Sequence, residues 1–165
     1  MSQSDLEYPH RSWKYLGEEQ GYAVAYRQWR ADSHCNQMHG YSLRFKVTFE
    51  ASALDHRNWV VDFGSLKSFK ENLKDWFDHT TLVAQDDPDL PRFQQMHADH
   101  LIKMVVFKHL GCEAIARFLF DYLETDWLPN NGYAPRVRMH SVEVIEHQGN
   151  GALFVRTPNY VPDDY

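Results

Sequence analysis

The sequence predicts an α+β domain, with helices against one face of an antiparallel sheet. Three observations carry that reading. Residues 41–50 alternate: Tyr41, Leu43, Phe45, Val47 and Phe49 share one face, and Ser42, Arg44, Lys46, Thr48 and Glu50 the other, the period of a half-buried strand. Leu66, Phe69, Leu73, Trp76 and Phe77 fall at helical spacing among lysines and acids, and Ile115, Phe118, Leu119, Tyr122, Leu123 and Trp127 make a second such stripe. The elements then run ββ-α-(β)-α-ββ, an order that suits a layered α+β domain better than alternating βα units.

Taken along the chain, residues 1–20 are polar, carry Pro9 and Gly17, and are expected to form a loose arm. Residues 21–29 read as a first strand, with Tyr22, Val24 and Tyr26 on one face. The connection 30–40 is too long for a tight hairpin turn. Residues 51–58 are a polar turn, and 59–64 lead into the first helix, which Asp78-His79-Thr80-Thr81 ends. The acidic, Pro-containing stretch 85–91 reads as a loop and 101–107 as a short strand. Gly111-Cys112-Glu113 opens the second helix, and Pro129-Asn130-Asn131-Gly132 breaks it. A long strand over 136–147, a turn at 149–151 and a short strand over 152–155 complete the domain, placed at 21–157, before an acidic tail at 158–165.

A chain of 165 residues with 43% hydrophobic and 15% aromatic content supports one domain with a substantial core. The formal net charge of −6 and the absence of a basic tract argue against nucleic-acid binding. No apolar run approaches a membrane span, and the N-terminus has no signal-peptide pattern. Two cysteines, Cys35 and Cys112, are too few for a disulfide framework and read as reduced thiols. These features predict a cytoplasmic protein.

The chemistry-bearing residues cluster first in 33–42. A thiol, two imidazoles and a glycine (His34, Cys35, His39, Gly40) sit at the mouth of a strand, and His39 is in phase with the buried face. A core cluster is the plain alternative, since a lone Cys is usually a small buried hydrophobe. Asp78-His79 pairs a carboxylate with an imidazole, which suits acid–base work, or is a helix end with a solvent-facing His. Glu146 is in phase with Val142 and Val144, so it either needs N–H donors in a buried place or faces solvent at the strand end. Glu113 complements a helix start. Arg27 and Arg30 precede Cys35 and are the nearest guanidinium groups for an anionic substrate, or form a solvated loop face.

Five pieces in order carry a resemblance over roughly residues 21–154: Cys35-x-x-x-His39-Gly40, Trp59-Val60-Val61-Asp62-Phe63-Gly64-Ser65-Leu66-Lys67, Asp78-His79, the helix start at Glu113, and Val144-Ile145-Glu146. The chain resembles the 6-pyruvoyl-tetrahydropterin synthase / 6-carboxytetrahydropterin synthase family. That resemblance implies the tunnelling (T-) fold, a four-stranded antiparallel sheet with two helices on one face. It implies trimers closing into a barrel, sometimes stacked as hexamers, with sites at subunit interfaces. It implies catalytic roles for Cys35, Asp78 and His79, and pterin binding by Glu146 with Glu113 at the helix start. The implied reaction converts 7,8-dihydroneopterin triphosphate to 6-carboxy-5,6,7,8-tetrahydropterin for queuosine-type deazapurines. The alternatives are 6-pyruvoyltetrahydropterin formation and a non-catalytic pterin binder that lost its zinc. The family's metal, usually zinc, is held by three histidines. Here His39 keeps its place, Tyr26 and Tyr41 stand where two histidines are expected, and His34 is the local substitute. A rearranged site on His34 and His39, a weaker or different metal, and no metal at all remain open.

Overall fold

The computed structural model describes residues 7–163. Its elements are β1 (His10–Leu16), β2 (Tyr22–Tyr26), β3 (His39–Ala51), α1 (Lys67–Phe77), β4 (Thr80–Ala84), α2 (Leu90–Ala98), β5 (Met104–Phe107), α3 (Cys112–Tyr122), β6 (Val137–His147) and β7 (Asn150–Val155). Single 3₁₀ turns lie at His34–Asn36 and Phe63–Leu66, and α3 continues through a π-helical stretch at Leu123–Trp127 into a last turn at Leu128–Asn130.

β3 organises the sheet. At 13 residues it is long enough to serve two shorter partners on one side: β2 pairs with 39–43 and β1 with 45–51. β6 covers its other side, all three pairings being antiparallel, and β7 flanks β6. The strand order is β5-β4-β2-β3-β6-β7, with β1 beside β3. Leu43, Phe45, Val47 and Phe49 are fully buried, as their alternation requires, and meet Phe77 of α1 and Trp127 beyond α3. α1 packs on β2 and β4, and α3 on β6 and β7. Leu66, Phe69, Leu73 and Phe77 from the first stripe, and Ile115, Leu119, Leu123 and Trp127 from the second, join this one core. No helix among the described residues is long and apolar enough to cross a membrane.

The α+β class holds, and the four antiparallel strands expected are β2, β3, β6 and β7. The sheet is larger than the four strands the resemblance implies, and mixed. Residues 80–84 extend the sheet as β4, parallel to both β2 and β5, instead of merely ending the helix. A short apolar run does not reveal by period that it is a strand buried between two others. Residues 90–98 form a third helix where a loop was expected up to residue 91. Pro91 sits in its first turn, where a missing N–H costs nothing. Within the expected loose arm, His10–Leu16 forms β1 by antiparallel pairing with 45–51 of β3, and Arg11 reaches the buried Glu50 of that strand at 3.3 Å. Arg138 at 2.7 Å and His140 at 3.1 Å complete the shell around that carboxylate. The tail docks as well: the Tyr160 hydroxyl donates to the fully buried Asp121, and its ring packs on Phe120 and Phe154. The rest of the arm and tail expected at 1–20 and 158–165, namely 1–6 and 164–165, lies outside the described residues.

Candidate active site

A cavity of about 380 Å³ opens where the end of β2, the Cys35 loop, the start of β3, the start of α3 and the β6–β7 turn converge. Tyr26, Gln28, Cys35, Tyr41, Cys112 and Glu146 line it. Each arrives there for a local reason. Tyr26 is the last residue of β2, on its buried side, and its register partner on β3 is His39. Tyr41 follows two residues later on β3 and stacks on Tyr26, ring centroids 4.6 Å apart and planes 26° apart. Glu146 lies beyond the buried Val142 and Val144 on β6 and aims inward with them, so of its two readings the structure selects the inward one.

Cys35 is held by its loop. It sits in the 3₁₀ turn capped by Ser33, whose hydroxyl accepts from the Cys35 N–H at 3.3 Å, and its carbonyl accepts from the Gln28 N–H at 2.9 Å. Gln28 also donates through its side chain to the Leu110 carbonyl at 2.7 Å, tying this loop to the start of α3. That close approach explains Gly111. Its φ is +117°, and a Cβ there would meet the Gln28 amide nitrogen at 2.6 Å. Only glycine suits both demands. Cys112 and Glu113 then enter the first turn of α3, and both line the cavity.

Hydrogen bonds join the inner groups. The Tyr26 hydroxyl donates to Glu146 Oε1, and the Tyr26 hydroxyl oxygen lies 3.9 Å from Cys112 Sγ. Burial, reinforced by the Glu146 charge, pushes the Tyr26 phenol well above its ordinary pKa. Tyr41 is raised by burial and then by the Glu146 charge. The Cys112 thiol is pushed up to about 12, first by burial and next by Glu146. Cys112 is therefore held as a neutral thiol at physiological pH. Sequence reasoning had no sign of Cys112 or Gln28 at the site, and read Tyr26 only as a lost metal ligand. The short approach of α3 to the Cys35 loop, which brings them in, spans more than 80 residues.

The two arginines do something other than wait for an anion. Arg27 binds Asp87 through two nitrogens, at 2.6 and 2.9 Å, and Asp89 at 2.8 Å. It also donates to the Asn36 carbonyl at 3.4 Å. Arg30 binds Asp86 at 2.6 Å and stacks on Trp29, which also donates to Asp86. Both guanidinium groups are paired with the acidic turn before α2. Their visible work is to fasten the Cys35 loop.

Asp78 and His79 form the expected pair, Oδ1 to Nδ1 at 3.0 Å, but lie elsewhere on the protomer. They line a separate cavity with Lys14, Lys70 and Lys74, which shares no residue with that of Cys35 and Glu146. The His79 side chain is 84% exposed, and its backbone is left-handed at φ +54°. An exposed non-glycine residue held in that region is a local cost that marks a site worth testing.

The metal implied by the resemblance does not fit these residues. His34 and His39 are neighbours, ring centroids 5.7 Å apart, and His39 Nδ1 donates to the Gln37 carbonyl at 2.5 Å. No group of three or more His, Cys, Asp or Glu side chains among the described residues is arranged to hold a metal ion. Tyr26 keeps its proton for Glu146, so it is not placed as a phenolate donor. Two imidazoles alone fall short of the three protein ligands of a catalytic zinc site.

The protein is a mixed-sheet α+β domain with a thiol and an inward carboxylate lining one cavity. A family model described as 6-pyruvoyl tetrahydropterin synthase matches residues 15–157, and the chain belongs to that family. A 6-carboxy-5,6,7,8-tetrahydropterin synthase of Aquifex aeolicus is 27% identical over 122 residues, covering 72% of this chain and 74% of its own. Among solved structures, an uncharacterized protein from Wolinella succinogenes superposes with a TM-score of 0.75 at 21% identity, covering 90% of this chain and 98% of its own. A catalytic-residue mutant of 6-pyruvoyltetrahydropterin synthase from Plasmodium vivax gives 0.65 at 16% identity, covering 89% and 97%. These two likenesses establish the fold, which is the T-fold the sequence led us to expect.

Proposed function

We propose that this protein is a cytoplasmic tetrahydropterin synthase that converts 7,8-dihydroneopterin triphosphate to 6-carboxy-5,6,7,8-tetrahydropterin. The observation that carries the reading is Glu146, an inward carboxylate at one wall of the cavity that Cys35 also lines. A pterin offers an amino group and a ring N–H side by side, and a carboxylate accepts such a pair through charge-assisted bonds. Cys35, as thiolate, would take the proton from the substrate side chain, and Glu113 at the cavity rim would meet further polar groups of the ligand. The relative from Aquifex aeolicus supports the carboxy product over the pyruvoyl product.

Asp78 and His79 join this scheme through a neighbour. Because the pair lies in a different cavity of its own protomer, a trimer-based oligomer would supply it to Cys35 from an adjacent subunit. There His79, oriented by Asp78, would exchange protons with the side-chain hydroxyls. The test is to incubate purified protein with 7,8-dihydroneopterin triphosphate and identify the products. We expect the 6-carboxy product. The 6-pyruvoyl product would move the protein to the eliminating branch, and binding without turnover would make it a pterin-binding homologue. Mixing Cys35→Ala with His79→Ala protein, each inactive alone, should restore part of the activity through hybrid oligomers; no restoration would overturn the shared site.

A further inference from the structure

Tyr26, Tyr41 and Glu146 form an arrangement that the proposed reaction leaves unexplained. Tyr26 is 2% exposed, donates its hydroxyl proton to Glu146 and stacks on Tyr41, which lines the same cavity. Glu146 is partly buried, and a carboxylate turned inward from solvent is costly without a partner. The phenol fills that need. A carboxylate has about four acceptor positions, so one bond from Tyr26 leaves room for a ligand's two donors. The stack on Tyr41 fixes the Tyr26 ring, and β2–β3 pairing fixes both backbones. The hydroxyl therefore holds the carboxylate in one orientation before any ligand arrives.

We propose that Tyr26 is the positioning residue for Glu146, and that the Tyr26–Tyr41 stack orders the ligand-binding carboxylate without a metal ion. This rests on the reading of Glu146 as the ligand anchor. Its consequence is specific to this chain: the phenol must stay protonated to donate, so it cannot simultaneously serve a metal as phenolate. Preorganising one carboxylate is a gain in affinity through lower reorganisation on binding, with no added contact to the ligand.

The test uses the whole protein, stripped with a chelator and dialysed, with neopterin as a stable pterin probe in a calorimetric titration. Wild-type protein should bind neopterin with the same affinity, within about twofold, before and after one equivalent of zinc is added. Tyr26→Phe keeps the ring and the stack and removes only the hydroxyl. It should weaken binding by about tenfold, the size of one buried hydrogen bond, with Tm changed far less than by Glu146→Ala. Tyr41→Phe should bind within about twofold of wild type. Zinc titration is an independent readout: wild type should not take up stoichiometric zinc, whereas Tyr26→His combined with Tyr41→His should gain it. Neopterin affinity that requires zinc would overturn the proposal, as would unchanged affinity in Tyr26→Phe. So would stoichiometric zinc in wild type that raises tyrosinate absorbance and is lost in Tyr26→Phe. If wild type fails to bind neopterin, the pterin reading of Glu146 fails, and the proposal that rests on it falls; the zinc titration then shows separately whether the metal-free part stood.

Discussion

The two ends of β2 treat their polar groups in opposite ways. At its C-terminal end, Tyr26 is buried, bonded to Glu146, stacked on Tyr41 and close to Cys112. Beside its N-terminal end, where Tyr22 lines a cavity with them, Asp78 and His79 face outward, their two side chains bonded only to each other among the hydrogen bonds described. The first end satisfies its groups internally, since a buried hydroxyl or an inward-turned carboxylate is costly without a partner. The second end is open, and its His79 backbone stays left-handed without a visible packing reason. A self-satisfied cluster can order a ligand by itself, whereas an exposed pair acts only on something brought to it. That contrast is the ground for the proposal that the pair acts in a site completed by another subunit.

The largest way to break the comparison is to loosen the fastening of the closed end. Arg27→Ala leaves Asp87, 5% exposed, without its guanidinium. Breaking a buried ion pair on one side costs about 3 kcal/mol, which for a domain of this size lowers Tm by roughly 6–12 °C. Thermal unfolding followed by circular dichroism measures it. A drop of under a degree would mean that the acidic turn does not hold the Cys35 loop.

Next in size is Glu146→Gln, which preserves shape but removes the charge. Pterin affinity should fall by about ten- to a hundredfold, the loss of about 1.5–3 kcal/mol for a charge-assisted bond. Equal affinity in a calorimetric titration would take Glu146 out of the site.

The open end should respond in the other direction. His79→Gly relieves the left-handed backbone and ought to stabilise the fold by about 1 kcal/mol in urea denaturation, while abolishing turnover. A variant that is both destabilised and active would reverse the contrast between the two ends.

The smallest effect is invisible at neutral pH. Cys112 is raised from an ordinary 9.0 to about 12. Between those values the unfolded chain loses this proton and the folded chain keeps it, so the unfolded state binds fewer protons and stability falls as pH rises. Below about pH 9 the group contributes no slope. Alkylation with iodoacetamide in the folded protein should accordingly modify Cys35 and spare Cys112 up to about pH 10, as read by mass spectrometry. Equal labelling would show that Cys112 is not held as a neutral buried thiol.

The amino-acid sequence by itself determined β3, α1 and α3, because each buries one face along its whole length and a repeated apolar period survives without knowledge of neighbours. Strand alternation put Glu146 in phase with Val142 and Val144, but whether it turned inward or faced solvent at the strand end was decided by the structure, where Tyr26 meets it. Cys35 and Glu113 were legible as a thiol in the loop before β3 and an acid at the start of α3, and one cavity is lined by both. Tertiary structure alone decided the rest. Thr80–Ala84 became a parallel strand only through β2 and β5, and the arm became β1 through its pairing with the far half of β3. Arg27 looked like a free cation until Asp87 and Asp89, some 60 residues away, met it. Tyr26 looked like a missing ligand until its hydroxyl met Glu146, 120 residues on. The physical reason is common to these cases: a period reports which way a side chain points, and only the pairing of distant strands and loops decides what it meets there.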